Sequence, residues 1–275
     1  MKFRLLKTGF LPGAQNMAID EAVLENIAKA QSEPTLRFYG WNPPTISIGY
    51  FQSLEEEVDL MACKNLGVDT VRRVTGGGAV LHDHEITYSI HIPEALGLVP
   101  AGILESYEKI CDGVIKGLAV LGEVAPTGRI IGLASPRRLG LEAKFVPLND
   151  LVVMQNGGMK KISGNAQTRK QGILLQHGTI LLKVDVDKMF SLLKVPSEKL
   201  KGKLIDDVKQ RVTSVSLALG REVAFEEAAE ALEKGFAQAF PEVSFEDGTL
   251  SAEEKNLAEK LVKEKYGAEG WNNAR

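Results

Sequence analysis

Three consecutive glycines, Gly76 to Gly78, constrain the fold of this chain more than any other feature of its sequence. They stand between two segments rich in Val, Ile and Leu, and Arg72 and Arg73 come shortly before them. A plain turn needs one or two glycines, because only one or two residues take a positive φ. A run of three therefore indicates a backbone that another molecule approaches closely, and the arginines indicate that this molecule is negatively charged.

The glycine turn joins one predicted strand to another, which separates it from the common nucleotide-binding loops. The dinucleotide fingerprint and the Walker A loop both place phosphate at the N-terminus of a helix, so the sequence excludes both. Backbone N–H groups of consecutive glycines can still form an anion-binding nest. Because Arg72 and Arg73 point to opposite faces of a strand, only one of them can serve that nest. A tight glycine bulge within a hairpin remains the alternative interpretation.

Composition narrows the kind of protein further. The 275 residues are 44% hydrophobic and 25% charged, which suits one large globular domain with or without a small appendage. A net charge of −3 excludes a nucleic-acid partner held by bulk electrostatics. No apolar run reaches about 18 residues, and the N-terminal apolar run is too short for a signal peptide. The two cysteines, Cys63 and Cys111, have no metal or disulfide spacing, and these features together predict a cytoplasmic protein.

Hydrophobic patterning predicts a mixed sheet with helices around it. Short runs rich in β-branched and aromatic residues predict strands over 35–41, 45–51, 69–74, 86–92, 150–155, 160–167, 172–175 and 179–183. The Asn156-Gly157-Gly158 run predicts a hairpin between two of them. Apolar residues at helical spacing predict helices over 14–30, 103–121, 225–240 and 251–266. Ser251 and Glu254 form a capping box at the start of the last helix, and the predicted fold class is α+β.

The stretch 128–147 has no clear period and reads as one long loop. It contains four basic residues, Arg129, Arg137, Arg138 and Lys144. A loop of that length inside a compact domain is usually a functional lid or a disordered segment. Two interpretations of this stretch therefore stay open. It is either a lid, in which Arg137 or Arg138 neutralises negative charge as the lid closes, or a flexible surface insertion.

The segment RRVTGGGAVLHD, residues 72–83, resembles the signature of lipoate–protein ligases, which share a fold with biotin ligases and octanoyltransferases. Further segments match the same family in the same order, at 36–52, 149–153, 160–169 and 175–182. The resemblance covers most of residues 1–245 and implies a biotin/lipoate-protein ligase-like catalytic domain there. Residues 246–275 are then expected to form a C-terminal helix and tail packed on that domain.

What the resemblance implies is acyl transfer to a lysine of a lipoyl-carrier domain. In a ligase, the lipoate (or octanoate) carboxylate attacks the α-phosphate of ATP, and the carrier lysine then attacks the resulting lipoyl-AMP. Lys161 is implied as the catalytic residue, and Lys160 beside it is expected to face away. The implied ATP-binding residues are Arg73, Gly77, Gly78, Ala79, Val80, Leu81 and Lys161. The implied lipoate-binding residues are Gly76, Gly77, His82, Lys161, Ser163, Gly164 and Ala166.

The histidines do not predict a metal site. His82 and His84 flank Asp83 at a spacing that could hold a metal, but no third ligand is evident. Mg²⁺ carried in with ATP is the expected metal, with none bound by the protein alone. His82 and Asp83 are expected to form part of the pocket wall, and His177 is expected to be a core histidine.

Cysteine position separates a ligase from a transferase within this family. Octanoyltransferases take the acyl group from acyl carrier protein onto a catalytic cysteine, because the acyl-enzyme needs a nucleophile that is also a good leaving group. In one branch that cysteine precedes a phenylalanine, and the equivalent pair here is Lys144-Phe145. The other branch places its catalytic cysteine near 175–178, where this chain has no cysteine. Cys63 and Cys111 are both predicted to be structural. The ligase is therefore the main prediction, provided that Lys144 is the natural residue.

Three alternatives stay open beside the ligase. The chain could be an octanoyltransferase of the same fold, or a lipoyl-carrier binding protein without catalysis; a biotin ligase is weaker because its glycine-arginine signature is absent. The expected partners are glycine cleavage H protein or E2 lipoyl domains. Because large ligases carry a further C-terminal domain, a separate accessory subunit is also expected to take part.

Overall fold

The computed structural model describes residues 1–123, 141–155, 157–195 and 198–274. Its main sheet contains, in order across the sheet, β11 (Ser244–Asp247), β1 (Lys2–Leu11), β2 (Thr35–Trp41), β6 (Glu85–Pro93), β10 (Ile173–Leu181), β9 (Gly158–Lys170), β8 (Asp150–Gln155) and β7 (Ala143–Val146). β1 runs parallel to β2 and β11, and the other pairs are antiparallel. A smaller sheet contains β4 (Asp69–Arg72), β3 (Thr45–Ile48) and β5 (Val80–His82) in that order. This mixed sheet confirms the α+β prediction.

Helices cover both faces of the main sheet. The helices of the described residues are α1 (Gly13–Ala28), α2 (Leu54–Glu57), α3 (Leu60–Leu66), α4 (Ile103–Glu123), α5 (Val186–Leu192), α6 (Glu198–Arg211), α7 (Val215–Leu219), α8 (Phe225–Ala239), α9 (Ala252–Leu261) and α10 (Glu269–Asn272). α4 and α8 bury the largest apolar cluster against one face, and α1 with α9 buries a second cluster against the other. None of these helices is long and apolar enough to cross a membrane.

Two strand predictions extend too far, and two others describe a single strand. β3 ends at Ile48 because the chain turns at once, with the Gln52 amide donating to the Gly49 carbonyl. β4 ends at Arg72, before the glycine turn. The segments predicted at 172–175 and 179–183 form one strand, β10, which continues through Gly178. Glycine is required there because a Cβ would collide with the side-chain amide of Asn165 on β9.

The region predicted as a loop over 128–147 is partly a strand. Residues 143–146 form β7 at the edge of the main sheet, so the loop prediction is wrong for that part. Arg129, Arg137 and Arg138 lie outside the described residues, and with them the predicted lid. The sequence analysis also missed β1, β5, β11 and the helices α2, α5 to α7 and α10.

Two local predictions are confirmed by side-chain or register contacts. Ser251 and Glu254 form the reciprocal capping box, although the α-helix that it starts ends at Leu261 and is followed by a π-helical turn over Val262–Tyr266. β8 and β9 pair as a hairpin with Gln155 opposite Gly158, while Asn156 itself lies outside the described residues.

The C-terminal helices pack against the N-terminal part of the chain. Glu254 on α9 accepts a 2.7 Å hydrogen bond from Nη1 of Arg4 on β1, and both side chains are buried. The hydroxyl of Tyr266 donates to Glu21 on α1 at 2.7 Å. The division into a catalytic domain over 1–245 and a tail over 246–275 stays a prediction.

Candidate functional site

A cavity of about 330 Å³ lies between the α1 face of the main sheet and the smaller sheet. Most residues predicted from the sequence line it: Arg73, Gly77, Gly78, Ala79, Val80, Leu81, His82, Lys161, Ser163, Gly164 and Ala166. Among the predicted residues that the structure describes, Gly76 is the exception, and its carbonyl instead accepts a 2.8 Å hydrogen bond from Arg73. The structure therefore places the predicted residues around one opening, although the ligand that each would contact stays a prediction.

Arg73 shapes the glycine turn from beneath. Its guanidinium donates to the carbonyls of Gly76 and Gly78, both at 2.8 Å, and to the hydroxyl and carbonyl of Ser47 at 3.0 and 3.1 Å. Burial lowers the pKa of this guanidinium to about 10, which leaves it charged at neutral pH. The positive charge thus lies under the turn, and its N–H groups donate to backbone carbonyls and to the Ser47 hydroxyl.

The three glycines of the turn are not equivalent. Gly77 has φ +97°, and a Cβ there would lie 2.8 Å from Nη2 of Arg73, so the protein itself requires glycine. Gly49 lies so close to the Gly77 carbonyl that it too has no room for a side chain. A Cβ on Gly76 or Gly78 would meet no atom within 4 Å. The open space above Gly78 belongs to the cavity, where a ligand could approach the backbone closely.

Lys161 faces the cavity from the opposite wall. A bulge in β9 places it opposite Val152, and its ammonium group lies 2.7 Å from a carboxylate oxygen of Asp150. The Lys161 side chain is 42% exposed and the Asp150 side chain 33%, so the pair is accessible from solvent. Lys160 does not line the cavity, as the alternation along the strand predicts.

Aromatic and aliphatic side chains form the deeper part of the cavity. The indole of Trp41 stacks on the ring of His82, with centroids 4.0 Å apart and planes at 13°. His82 is fixed in turn by hydrogen bonds of 2.7 Å to Ser47 and to Glu85, so it forms part of the wall, as expected. Other apolar lining residues are Met17, Tyr39, Leu181, Val186, Met189, Val208 and Val212. This composition suits an acyl chain.

His177 is buried, as expected of a core histidine, but it also lines the cavity, which the sequence analysis did not predict. It is 7% exposed, shares a 2.7 Å hydrogen bond with the hydroxyl of Thr75, and lies 3.7 Å from Asp20. Burial lowers the pKa of His177, which favours its neutral form. Burial alone would raise the pKa of Asp20, but Arg37 and the two nearby histidines hold it below its usual range.

The sequence analysis missed this buried polar group behind the cavity. Asp20 on α1 accepts a 2.7 Å hydrogen bond from Arg37 on β2, a 3.1 Å one from Tyr39 and a 2.8 Å one from Ser89. The available signal was the charge itself, because Asp20 and Arg37 interrupt otherwise apolar runs.

Neither cysteine of the chain lines the cavity. Cys63 on α3 and Cys111 on α4 are both buried, and burial raises their pKa values to about 11 and about 12. Cys111 lies within the apolar cluster under α4 and α8. The raised pKa values favour the protonated thiols at neutral pH, and the interpretation that both cysteines are structural stays a prediction.

Lys144 lies on the same face of the sheet as Lys161. β7 places Lys144 opposite Val152, and Val152 lies opposite Lys161 on the next strand. Residues directly opposite one another in antiparallel strands project from one face. The neighbours Ala143 and Phe145 project from the other face, towards the cluster under α4 and α8. Lys144 is exposed at the edge of this site, where a transferase of the family is expected to carry its cysteine.

Metal-binding side chains are not grouped within the described residues. No set of three or more His, Cys, Asp or Glu side chains there could hold a metal ion. His84 is exposed and lies 3.7 Å from Asp83, whose other oxygen binds Lys188 at 2.7 Å. The expectation that any metal comes with the nucleotide stays a prediction.

Comparisons with known proteins agree with the resemblance seen in the sequence. The lipoyl protein ligase A/B catalytic domain matches residues 12–237. The octanoyltransferase LipM of Symbiobacterium thermophilum is 42% identical over 273 residues, which cover 98% of this chain and 97% of that protein. A structure of a bi-partite lipoate protein ligase with its E2 lipoyl domain, from Thermoplasma acidophilum, superimposes with a TM-score of 0.81 and 32% identity over 99% of this chain and 96% of that chain. Lipoate-protein ligase A bound with ATP superimposes with a TM-score of 0.75 and 30% identity, covering 99% of this chain and 98% of that chain.

Proposed function

The chain belongs to the lipoyl protein ligase A/B catalytic domain family, and from this premise we propose that it is the catalytic subunit of an ATP-dependent lipoate–protein ligase. It activates lipoate as lipoyl-AMP and transfers the acyl group to a lysine of a lipoyl-carrier domain. Membership in a family of ligases and acyltransferases that modify proteins supports an enzyme of this kind. The choice of ATP as the activating substrate is the part that we propose.

The observation that carries the proposal is the absence of a usable thiol in the chain. The sequence contains two cysteines, and both are buried away from the cavity with raised pKa values. An acyl group carried on Lys144 would be an amide, and an amine is too poor a leaving group for onward transfer. Activation as an adenylate needs no protein nucleophile, because AMP is the leaving group.

The residues around the cavity suit that reaction. The proposed role of Lys161 is to leave Asp150 and bind the oxygens of the acyl carboxylate and the α-phosphate, where negative charge builds up. Arg73 adds a buried positive charge beneath the glycine turn, and Gly77 and Gly78 leave the backbone open to close approach. The apolar wall around Trp41 would hold the acyl chain. Positioning and charge neutralisation, with Mg²⁺ entering on the nucleotide, are then sufficient.

Octanoyl transfer from acyl carrier protein is the second candidate. The name of the relative from Symbiobacterium thermophilum, octanoyltransferase LipM, favours this candidate, and its identity of 42% over nearly the whole chain gives that name weight. The two candidates share the fold, the carrier lysine and the acyl pocket, so they differ in the donor.

A two-donor assay tests the proposal. The purified chain is incubated with an apo lipoyl domain and either lipoate with Mg-ATP or octanoyl-acyl carrier protein, and the carrier is weighed by mass spectrometry. We expect a mass increase with the first donor alone. Acylation from octanoyl-acyl carrier protein without ATP would contradict the proposal and support the second candidate.

A cysteine substitution adds a matched control to that assay. We expect Lys144→Cys to gain an octanoyl thioester from octanoyl-acyl carrier protein, because its side chain projects from the face that carries Lys161. Lys160→Cys, whose neighbours across the sheet face the apolar cluster, should gain none. Equal labelling of both variants would mean that the position of Lys144 has no special relation to the site.

We also propose that the partners are lipoyl domains and that a second polypeptide assists the reaction. The likeness to a bi-partite ligase from Thermoplasma acidophilum supports a separate accessory subunit. If the chain alone is slow in the two-donor assay, addition of the accessory protein should raise the ATP-dependent rate and leave thioester transfer absent.

A further inference from the structure

Arg72 is the last residue of β4 and Arg73 follows it, and of the two only Arg73 lines the cavity. Arg73 supports the glycine turn, whereas Arg72 is 1% exposed and lines no part of the cavity. A buried guanidinium needs partners for its N–H groups, because an unpaired buried charge is strongly destabilising. The partners of Arg72 connect two distant parts of the chain to the region before the glycine turn.

One set of partners belongs to the end of α10. The backbone amide of Arg72 donates to Oδ1 of Asn272 at 2.7 Å, Nη2 donates to the Asn272 carbonyl at 2.9 Å, and Nε donates to the Trp271 carbonyl at 3.0 Å. In return, Nε1 of Trp271 donates to the Arg72 carbonyl at 2.9 Å. We call Tyr266, Trp271 and Asn272 the C-terminal clasp, because Tyr266 packs edge-on against Trp271 and its carbonyl accepts from Asn272.

The other set of partners belongs to the segment 49–52. Nη1 of Arg72 donates to the carbonyls of Gly49, Tyr50 and Gln52 at 3.3, 2.9 and 2.6 Å. A single guanidinium therefore joins the C-terminal clasp to the turn that follows β3.

That turn supports the glycine turn directly. The Tyr50 amide donates to the Thr75 carbonyl at 2.8 Å, and the Arg73 amide donates to the Ile48 carbonyl at 3.0 Å. Gly49 lies against the Gly77 carbonyl, with no room for a side chain between them. The contacts thus run without a break from Asn272 through Arg72 and the segment 49–52 to the glycine turn.

We propose that the C-terminal clasp is a positioning element of the reaction site, which holds the glycine turn in place through Arg72. The clasp residues do not line the cavity, so they act on it through Arg72 and through the ring of Trp271, which packs against the ring of Tyr50 with centroids 5.8 Å apart. This inference does not depend on the donor, because the glycine turn lines the cavity in a ligase and in a transferase alike.

Hydrogen exchange measured by NMR tests the proposal without an activity assay. Asn272→Ala removes the acceptor for the Arg72 amide, and Asn272→Asp keeps it; Asn273→Ala, an exposed neighbour, is the control. We expect the amides of Tyr50 and Arg73 to exchange about fivefold faster in Asn272→Ala, the usual effect of one lost buried hydrogen bond. Exchange within β10 should not change, and Asn273→Ala should behave as the wild type. Asn272→Asp keeps the acceptor for the Arg72 amide but loses the donor to the Tyr266 carbonyl, so its acceleration should be smaller than that of Asn272→Ala.

Two results would overturn the proposal. Unchanged exchange at Tyr50 and Arg73 in Asn272→Ala would mean that the segment 49–52 holds the glycine turn without the clasp. Equal acceleration in β10 would mean that the clasp contributes to global stability and has no particular relation to the site.

A kinetic measurement provides the functional readout. With whichever donor the wild-type chain uses, Asn272→Ala should raise the KM for that donor several-fold and leave the KM for the lipoyl domain unchanged. Asn272→Asp, which keeps the acceptor for the Arg72 amide, should have a donor KM closer to that of the wild type than Asn272→Ala has. A kcat loss with both KM values unchanged would contradict positioning of the glycine turn.

Discussion

The glycine turn and the Lys161 wall face each other across one cavity, but they are held in opposite ways. On the glycine side, the guanidinium of Arg73 is almost fully buried and its N–H groups donate to Ser47, Gly76 and Gly78. On the lysine side, Lys161 is 42% exposed and is paired with Asp150 alone among the described residues. A side chain with one exposed partner can move to a ligand, whereas one with several buried partners cannot move without breaking the turn.

The two sides of the cavity therefore suit two different tasks, although the segments that contain them match the same protein family. The glycine turn acts as a fixed backbone surface, and Arg73 is required for its shape. In the proposed reaction, Lys161 would provide a positive charge that can move from Asp150 to the reacting groups. Substitutions on the two sides should therefore differ in how they divide between activity and stability.

Lys161→Ala should cause the largest loss of activity with the least change in stability. We expect acyl transfer to fall by about a thousandfold, the upper range for removal of one charge-stabilising group. Because exposed ion pairs contribute about 1 kcal/mol or less, the melting temperature should hardly change. Lys160→Ala is the control, and near-normal turnover by Lys161→Ala would refute the role assigned to this lysine.

Gly77→Ala should impair both binding and stability, because a methyl group there meets Arg73 at a positive φ. We expect a destabilisation of about 1–3 kcal/mol together with weakened donor binding. Gly76→Ala adds the same methyl group where no atom lies within 4 Å, so it should keep the wild-type melting temperature. If Gly76→Ala and Gly77→Ala are equally destabilised in thermal unfolding, the turn is not held as described.

Acid should lower the stability of the folded protein through two of its buried histidines. Burial lowers the pKa values of His91 and His177 from 6.5, so unfolding takes up protons once the pH falls below that value. The contribution of these histidines to the melting temperature should therefore be steady above pH 6.5, decrease as the pH falls from 6.5 towards the folded-state pKa values, and level off below them. His177→Gln should flatten this decrease, whereas exposed His84→Gln should not; a profile identical in all three proteins would contradict this assignment.

Replacement of the cysteines should have the smallest effect on activity. Cys63→Ala and Cys111→Ala each remove a buried sulfur and should cost about 1 kcal/mol of stability, with turnover unchanged. Loss of acyl transfer by folded Cys111→Ala, measured with either donor, would revive a thioester mechanism.

Much of the fold follows from local sequence patterns, because β2 and β8 alternate or cluster apolar residues within clear limits. β1 was missed because four consecutive residues, Phe3 to Leu6, are buried and the charged Arg4 is one of them, so its apolar residues do not alternate. β10 was divided at Gly178, since the reason for that glycine is the Asn165 side chain on a neighbouring strand. Both errors concern contacts between segments that are distant in the sequence, and such contacts cannot be seen in the sequence alone.

The residues that line the cavity were predicted from their motifs, whereas the buried residues that hold them in place were not predicted. The glycines, His82 and Lys161 stand in recognisable segments, and the structure gathers them around the cavity. Asp20 and Arg37 are 17 residues apart, and Arg72 and Asn272 are 200 apart. Such pairs become neighbours through folding alone, so no spacing rule could have assigned their partners.

Detection of the acyl-adenylate tests the central claim most directly. The chain, with its accessory protein if one is needed, is incubated with lipoate and α-³²P-labelled ATP but without a carrier, and the nucleotides are separated by chromatography. The account predicts lipoyl-AMP with the wild type and Lys160→Ala, and none with Lys161→Ala. Absence of lipoyl-AMP in the wild type, together with carrier acylation from octanoyl-acyl carrier protein without ATP, would contradict it.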